Sequence, residues 1–178
     1  EDIPVIAFSV GEEELSGLDT TPLVGHLAAW NYFQSIRSPA NPEFIRQWKE
    51  FVGDTDRTTN DPMEAHFIGF NLWVQAVEKA GTTDVDAVLD ALPGTETPNL
   101  TGGVARVLAN HHITKPVYIG EVRANGQFDV VWQTDGTVEG DAWSDHLPVS
   151  EDTIGDWVTR NCGNYNTQIE VCSGTAYQ

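Results

Sequence analysis

Three adjacent acids, Glu12, Glu13 and Glu14, are the first residues in this chain whose types and spacing could do chemistry. Carboxylates this close can accept hydrogen bonds from a ligand, hold a hard cation or share acid–base work. They can equally be acids in the first turn of a helix, whose positive end favours them. Glu13 and Glu14 fit that second role as solvated side chains. Glu12, nearest the end of the preceding apolar run, stays open between the two. Ser9 lies just upstream, but no GxSxG elbow surrounds it or Ser16, and no Cys–His pairing suggests an activated nucleophile.

The other reactive types are dispersed. His26, His66, His111, His112 and His146 show no HExxH spacing. Neighbours on a strand face opposite sides, so the tandem pair cannot easily serve one ion. Structural or surface histidines, and no metal site, are therefore expected. No Walker loop or GxGxxG run is present, so no nucleotide cofactor is expected. Asn99-Leu100-Thr101 fits a glycosylation sequon, a short motif common by chance. Cys162 and Cys172 sit close together in a loop-like stretch without CxxC spacing. Either a disulfide closes that loop, which implies an oxidising compartment, or the two thiols are unrelated. Among the aromatics, those at helical spacing default to core. Trp30 and Tyr32 fall in an extended segment and are better candidates to line a small-ligand cleft.

Those residues need elements to hold them. Residues 4–9 read as a short buried strand, with Val5, Ile6, Ala7 and Phe8 in succession. Ser9-Val10-Gly11 turns into the acids that open a helix. This strand–turn–helix unit carries ligand sites at strand ends in open α/β sheets. Residues 23–33 read as extended. The spacing predicts a helix capped by Asn41, with Phe44, Ile45, Trp48, Phe51 and Val52 on its buried face and Gly53 as its stop. It predicts a second over 61–80, capped by Asp61 with Glu64 in a capping box. Met63, Phe67, Phe70, Val74 and Val77 step along it, widened by Leu72 and Trp73, so deep burial is expected. A short helix follows over 84–92. Strands are expected over 104–108, 117–123 and 128–132, the last two joined at Asn125-Gly126, a hairpin signal. Residues 152–160 suggest one more short helix.

Composition bounds the rest. The chain has 178 residues, enough for an ordinary core, and 40% hydrophobic residues, a globular share. No apolar run approaches the ~20 residues of a membrane span. Its 27 acidic against 9 basic residues give a formal charge of -18. Such a surface repels nucleic acid, which binds through lysine and arginine. The residues thus reach an α/β domain with no catalytic signature.

Four blocks carry a family resemblance: Pro4 to Leu15, Gly25 to Phe33, Asn60 to Trp73, and the tail around Trp143-Ser144-Asp145 with Cys162-Gly163-Asn164-Tyr165 and Cys172. Together they resemble the urea and short-chain amide substrate-binding subunits of ABC importers, within the type I periplasmic binding proteins. The resemblance implies a two-lobed fold of Rossmann-like lobes of which this chain is the C-terminal half, the N-terminal half lying outside it. Residues 1–33 would be a lobe-two segment returning to the hinge, 34–138 a lobe-one segment, and 139–178 a tail returning to lobe two with a disulfide loop at Cys162 and Cys172. It implies ligand contacts at Ser9, Val10, Gly11, Glu12, Met63 and Glu64, and hinge or cleft positions at Trp30 and Tyr32. It also implies a neutral ligand, permease subunits and a complementary N-terminal half as partners. The setting would be the periplasm, or a membrane-anchored lipoprotein outside the cell, with the signal peptide beyond this chain. The same fold could serve an amide-sensing regulator. An amide hydrolase using Glu12 with Ser9 is the remaining alternative.

Overall fold

Two consecutive aromatic residues, Tyr32 and Phe33, are both fully buried and belong to different hydrophobic clusters. The elements are arranged around that division. The computed structural model describes residues 3–141, 153–154, 164–166 and 171–173. Contacts divide the chain into residues 1–140 and 141–178.

In the first unit, β1 (Ile6–Ala7) leads into α1 (Glu12–Leu15) and a single 3-10 turn, then β2 (Leu27–Trp30). Helices α2 (Asn41–Val52), α3 (Asp61–Ala80) and α4 (Val85–Ala91) follow. The small ribbon β3 (Glu96–Pro98) and β4 (Val104–Arg106) precedes β5 (Tyr118–Val122) and β6 (Phe128–Gln133). One sheet runs β1-β2-β5-β6, with β1 parallel to β2 and the other neighbours antiparallel. The β5–β6 hairpin turns at Asn125-Gly126 as expected. Gly126 alone of the two takes positive φ, at 73°, and the Arg123 amide donates to Gln127 across the loop at 2.8 Å.

Leu15, Ala28, Phe33, Ile36, Tyr118, Val122 and Phe128 form the core beside this sheet. Tyr32, Phe44, Ile68, Leu72, Leu100, Ala105 and Val107 form the core among the helices and the ribbon. In the second unit, β7 (Thr153–Ile154), β8 (Asn164–Asn166) and β9 (Val171–Ser173) pair antiparallel in that order. Thr153 and Ile154 are strand, which overturns the helix expected over 152–160. Cys162 lies outside the described residues, as does the Cys172 side chain.

Several expectations fail for identifiable reasons. The first strand is an edge: Ile6 is 42% exposed and Phe8 73% exposed. Asn41 does not cap α2. It sits inside the first turn, fully buried, and its amide donates to the carbonyls of Gln34 (2.9 Å) and Ile36 (2.8 Å). Phe51 on the same helix is exposed. Asp61 does not cap α3 either. Asn60 does, accepting from the Met63 amide at 3.2 Å. That shift of one residue takes Glu64 out of the capping-box position and leaves it free to turn inward. The buried stripe of α3 is Asp61, Glu64, Ile68, Leu72 and Ala76, while Phe67, Phe70 and Trp73 face outward. Polar residues with buried partners rotate the helix away from its most apolar face.

Gly120 marks a tight point in this packing. A Cβ there would meet Phe128 and Phe33 at 3.0 Å. Overfilling a packed core costs about 1–3 kcal/mol. Gly120→Val is expected to lower unfolding free energy by that amount in urea titration, and Gly136→Ala, which meets nothing within 4 Å but sits at φ 87°, by less than Gly120→Val.

Candidate functional site

The three acids of α1 are not equivalent. Helical spacing points them in different directions. The Glu13 carboxylate pairs with Arg57 and accepts from the Thr58 hydroxyl at 2.7 Å. Glu14 accepts from the Asn60 side chain at 2.7 Å and from the Gly11 amide at 2.8 Å. Both were expected to be solvated: Glu14 is exposed as expected, Glu13 is partly buried, and the two clamp α1 to the loop that leads into α3. Gly11 makes the approach possible: a Cβ there would lie 3.3 Å from the Trp30 ring and 3.5 Å from Asn60. Residues 11–14 and 60–64, separate in sequence, are thereby brought together.

Glu12 turns the other way, into the interior, and is 1% exposed. One carboxyl oxygen accepts from the Ser35 amide at 3.4 Å. Its Oε2 has no partner among the described residues. A cavity of about 350 Å³ lies beside it, with Thr20, Asp56, Thr58, Asn125 and Gln127 on its walls. Burial pushes the Glu12 carboxyl up to about 8, against backbone hydrogen bonds from Glu12, Ser35 and Gln34 that lower it.

Glu64 is also buried, with its Oε2 paired to Lys115 and its Oε1 without a partner among the described residues. Desolvation raises its pKa and Asp61 adds to the rise, while the charge and hydrogen bond of Lys115 and a backbone hydrogen bond at Leu100 oppose it. Asp61, one turn earlier, accepts from the Asn31 amide at 2.8 Å; burial raises its pKa too, again opposed by Lys115.

Tyr32 is buried within electrostatic reach of both glutamates. Its hydroxyl donates to Asn41 Oδ1 at 2.7 Å and meets the Thr59 hydroxyl at 2.8 Å. Desolvation raises its pKa, and Glu12 and Glu64 both push it further. Gln34 braces the same cluster, its side-chain oxygen accepting from the Thr59 amide at 2.8 Å.

Of the residues singled out in the sequence, Gly11, Glu12, Tyr32 and Glu64 gather in or beside this cluster. Ser9 is exposed, Val10 packs on the sheet-side core, Trp30 is half-buried there, and Met63 sits at the edge of the helical core. Asp61 was read only as a cap. Asn31, Gln34, Asn41 and Thr59 gave no chemical signal. Lys115 was missed, although a lysine flanked by Thr114, Pro116 and Val117 at the mouth of a strand, in a chain this poor in bases, was a usable one. Asn99 is buried, with its Oδ1 accepting from the Thr101 hydroxyl at 2.8 Å and its Nδ2 without a partner among the described residues, so burial and not that hydrogen bond keeps the sequon nitrogen from a sugar in the folded chain. Among the described residues no three histidine, cysteine or acidic side chains gather to hold a metal, and no helix is long and apolar enough to cross a membrane.

The profile of a family described as a periplasmic binding protein domain matches residues 1–149. Among curated proteins, a limonene hydroxylase of Geobacillus stearothermophilus is 30% identical over 111 residues, covering 62% of this chain and 20% of that protein. The fold is similar to a solute-binding protein of an ABC transporter from Rhodopseudomonas palustris, solved with 3,4-dihydroxybenzoic acid. The TM-score is 0.65 at 20% identity, over 77% of this chain and 38% of that one. A leucine binding protein from Thermotoga maritima gives a TM-score of 0.52 at 20% identity, over 64% of this chain and 31% of that one. The chain thus spans about a fifth of the curated relative and about a third of these structures.

Glu12 gives the site a pH dependence of its own. Its folded pKa of about 8 lies above the ordinary 4.5, so folding favours the protonated form. The stabilisation is complete below pH 4.5 and is lost as pH rises through 8. Glu12→Gln mimics the protonated form. It is expected to match the parent protein near pH 5 and to exceed it by about 2–4 kcal/mol near pH 9. Urea melts at both values check this; a gap that does not change with pH counts against a buried neutral Glu12.

Proposed function

This chain belongs to the periplasmic binding protein domain family, and from that premise we propose that it is part of the solute-binding protein of an ABC importer that captures urea or a short-chain amide. The observation that carries the ligand class is the pair of buried glutamates, each with one carboxyl oxygen left without a partner among the described residues. A primary amide brings N–H donors and one carbonyl acceptor. Glu12, mostly protonated at neutral pH, offers a donor. Glu64, held by Lys115, offers an acceptor. Each unmet partner in a closed site costs about 1–3 kcal/mol, which makes such a match selective.

Aromatic acids, such as the 3,4-dihydroxybenzoic acid in complex with the Rhodopseudomonas palustris protein, would bring a carboxylate against Asp61 and the Glu64 carboxylate. Like charges at short range in a dry site repel strongly. Ser9 is exposed while Glu12 contacts the Ser35 amide, an arrangement that favours binding over hydrolysis.

On this reading residues 1–33 and 139–178 serve lobe two and 34–138 serve lobe one, and a complementary N-terminal half completes the cleft. Ser9, Val10 and Gly11 approach the ligand from one side and Met63 from the other, while Trp30 and Tyr32 mark the hinge. Closure presents the liganded form to permease subunits in the periplasm, or at the outer face of the membrane for an anchored lipoprotein. A Cys162–Cys172 bridge would suit either setting.

Calorimetric titration of the full-length protein with urea, acetamide, benzoate and leucine tests the ligand class. Saturable binding of urea or acetamide, weakened about tenfold or more in Glu64→Gln, is expected. Binding of benzoate or leucine with no response to either amide would overturn it. Ammonia release from urea would favour the hydrolase. Amide binding without stimulation of permease-driven uptake would favour the sensor.

A further inference from the structure

Lys115 is one of nine basic residues in a chain with 27 acids, and it is 7% exposed. Most of the other bases with side-chain partners pair at the surface: Arg46, Arg57, Arg106 and Arg123 are each about half exposed. Burying an ammonium is costly unless it is paired and hydrogen-bonded. A position whose only task was packing would be filled at lower cost by an apolar side chain of similar length.

The backbone holds Lys115 firmly. Its amide donates to the Val138 carbonyl at 3.1 Å, and the Val138 amide donates back at 2.8 Å. The next carbonyl, Pro116, accepts from the Asn31 side chain at 2.7 Å, and the Asn31 amide donates to Asp61. The segment is therefore tied to the first turn of α3 at two points, through Asn31–Asp61 and through Lys115–Glu64.

The groups facing Glu64 come from several elements. Asp61 lies on its own helix. Lys115 comes from the segment before β5, Tyr118 from β5 and Tyr32 from the segment after β2, with Glu12 beyond the Tyr32 hydroxyl. Among them Lys115 is the only cation. Asp61, Glu64 and Lys115 together carry a formal charge of minus one, so the ammonium is already neutralised and cannot anchor an anionic ligand.

We infer that Lys115 is a specificity-setting positioning residue: it holds Glu64 as a carboxylate with Oε1 free to accept from a ligand N–H, so the site takes neutral or cationic N–H donors and turns carboxylates away. The inference rests on the amide-binding reading above for its ligand, but not for its effect on Glu64. Without Lys115, desolvation and Asp61 both favour protonation of Glu64, against only a backbone hydrogen bond at Leu100. Without the Glu64 charge, the ammonium is released to meet an anion.

Both halves can be read separately. In the unliganded full-length protein, the Glu64 carboxyl followed by carbon-13 NMR is expected to titrate at clearly higher pH in Lys115→Met than in the parent. Lys115→Gln supplies the same loss of charge with a donor retained should Lys115→Met fail to fold. An unchanged midpoint in the folded variant overturns the inference whatever the ligand. With acetamide and acetate as probes, Lys115→Met is expected to bind acetamide at least tenfold more weakly at pH 6 and to recover toward the parent at pH 9. Glu64→Gln is expected to bind acetate at least tenfold more tightly than the parent does. A loss of acetamide affinity that is equal at both pH values, or acetate affinity unmoved in Glu64→Gln, overturns it. If the midpoint moves but the parent protein binds no amide, the amide reading fails and the hold of Lys115 on Glu64 stands.

Discussion

The fold depends on the hydroxyl of Tyr32. It lies fully buried between Asn41 and Thr59, and a buried hydroxyl without partners would cost a substantial part of a small domain's stability. Meeting that need fixes three segments at once. Asn41 must enter the first turn of α2 instead of capping it, Thr59 must be drawn in by Gln34, and the chain after β2 must reverse so that Tyr32 and Phe33 enter different cores. The sheet-side core and the helix-side core meet at these two residues.

Around the hydroxyl, acids are distributed by what each can reach. Glu13 and Glu14 find donors in the loop before α3 and become a clamp. Glu12 and Glu64 find too few among the described residues and remain partly unmatched though buried. Unmatched buried polar atoms are rare in folded proteins, because each loses water without replacement. Two of the four such atoms among the described residues belong to Glu12 and Glu64, whose pKa values burial raises, and displaced buried acids of this kind are what makes the cluster a candidate site.

The same logic explains the outward aromatics of α3. Asp61 and Glu64 find compensation on the inner side, Asp61 from the Asn31 amide and Glu64 from Lys115, with backbone hydrogen bonds at Tyr32 and Leu100 adding to it. Turning Phe67 and Phe70 inward would expel two acids from that compensation. Instead Phe67 leans on Phe44 at 5.2 Å between ring centres, and an apolar cleft with Trp48, Pro62 and Met63 remains on that face. Family membership sets the α/β frame, and solved relatives of that frame carry different solutes, so the frame alone does not choose the ligand.

Sequence by itself determined what depends on local chemistry. The α/β order, the two long helices with their glycine stops at Gly53 and Gly81, and the Asn125-Gly126 hairpin were legible because periodicity, capping and positive φ act over a few residues. Glu12 was legible as an open candidate because it lies nearest the strand end, whereas Glu64 read locally as a capping acid and became a candidate only through the family resemblance. What tertiary structure decided is which acids are buried and which are solvated, which residue caps each helix, and which face of α3 turns in. Those outcomes hang on partners far away in sequence: Lys115 lies 51 residues from Glu64 and Asn60 lies 46 from Glu14. Desolvation and its compensation are properties of a location in space, and no local pattern encodes them.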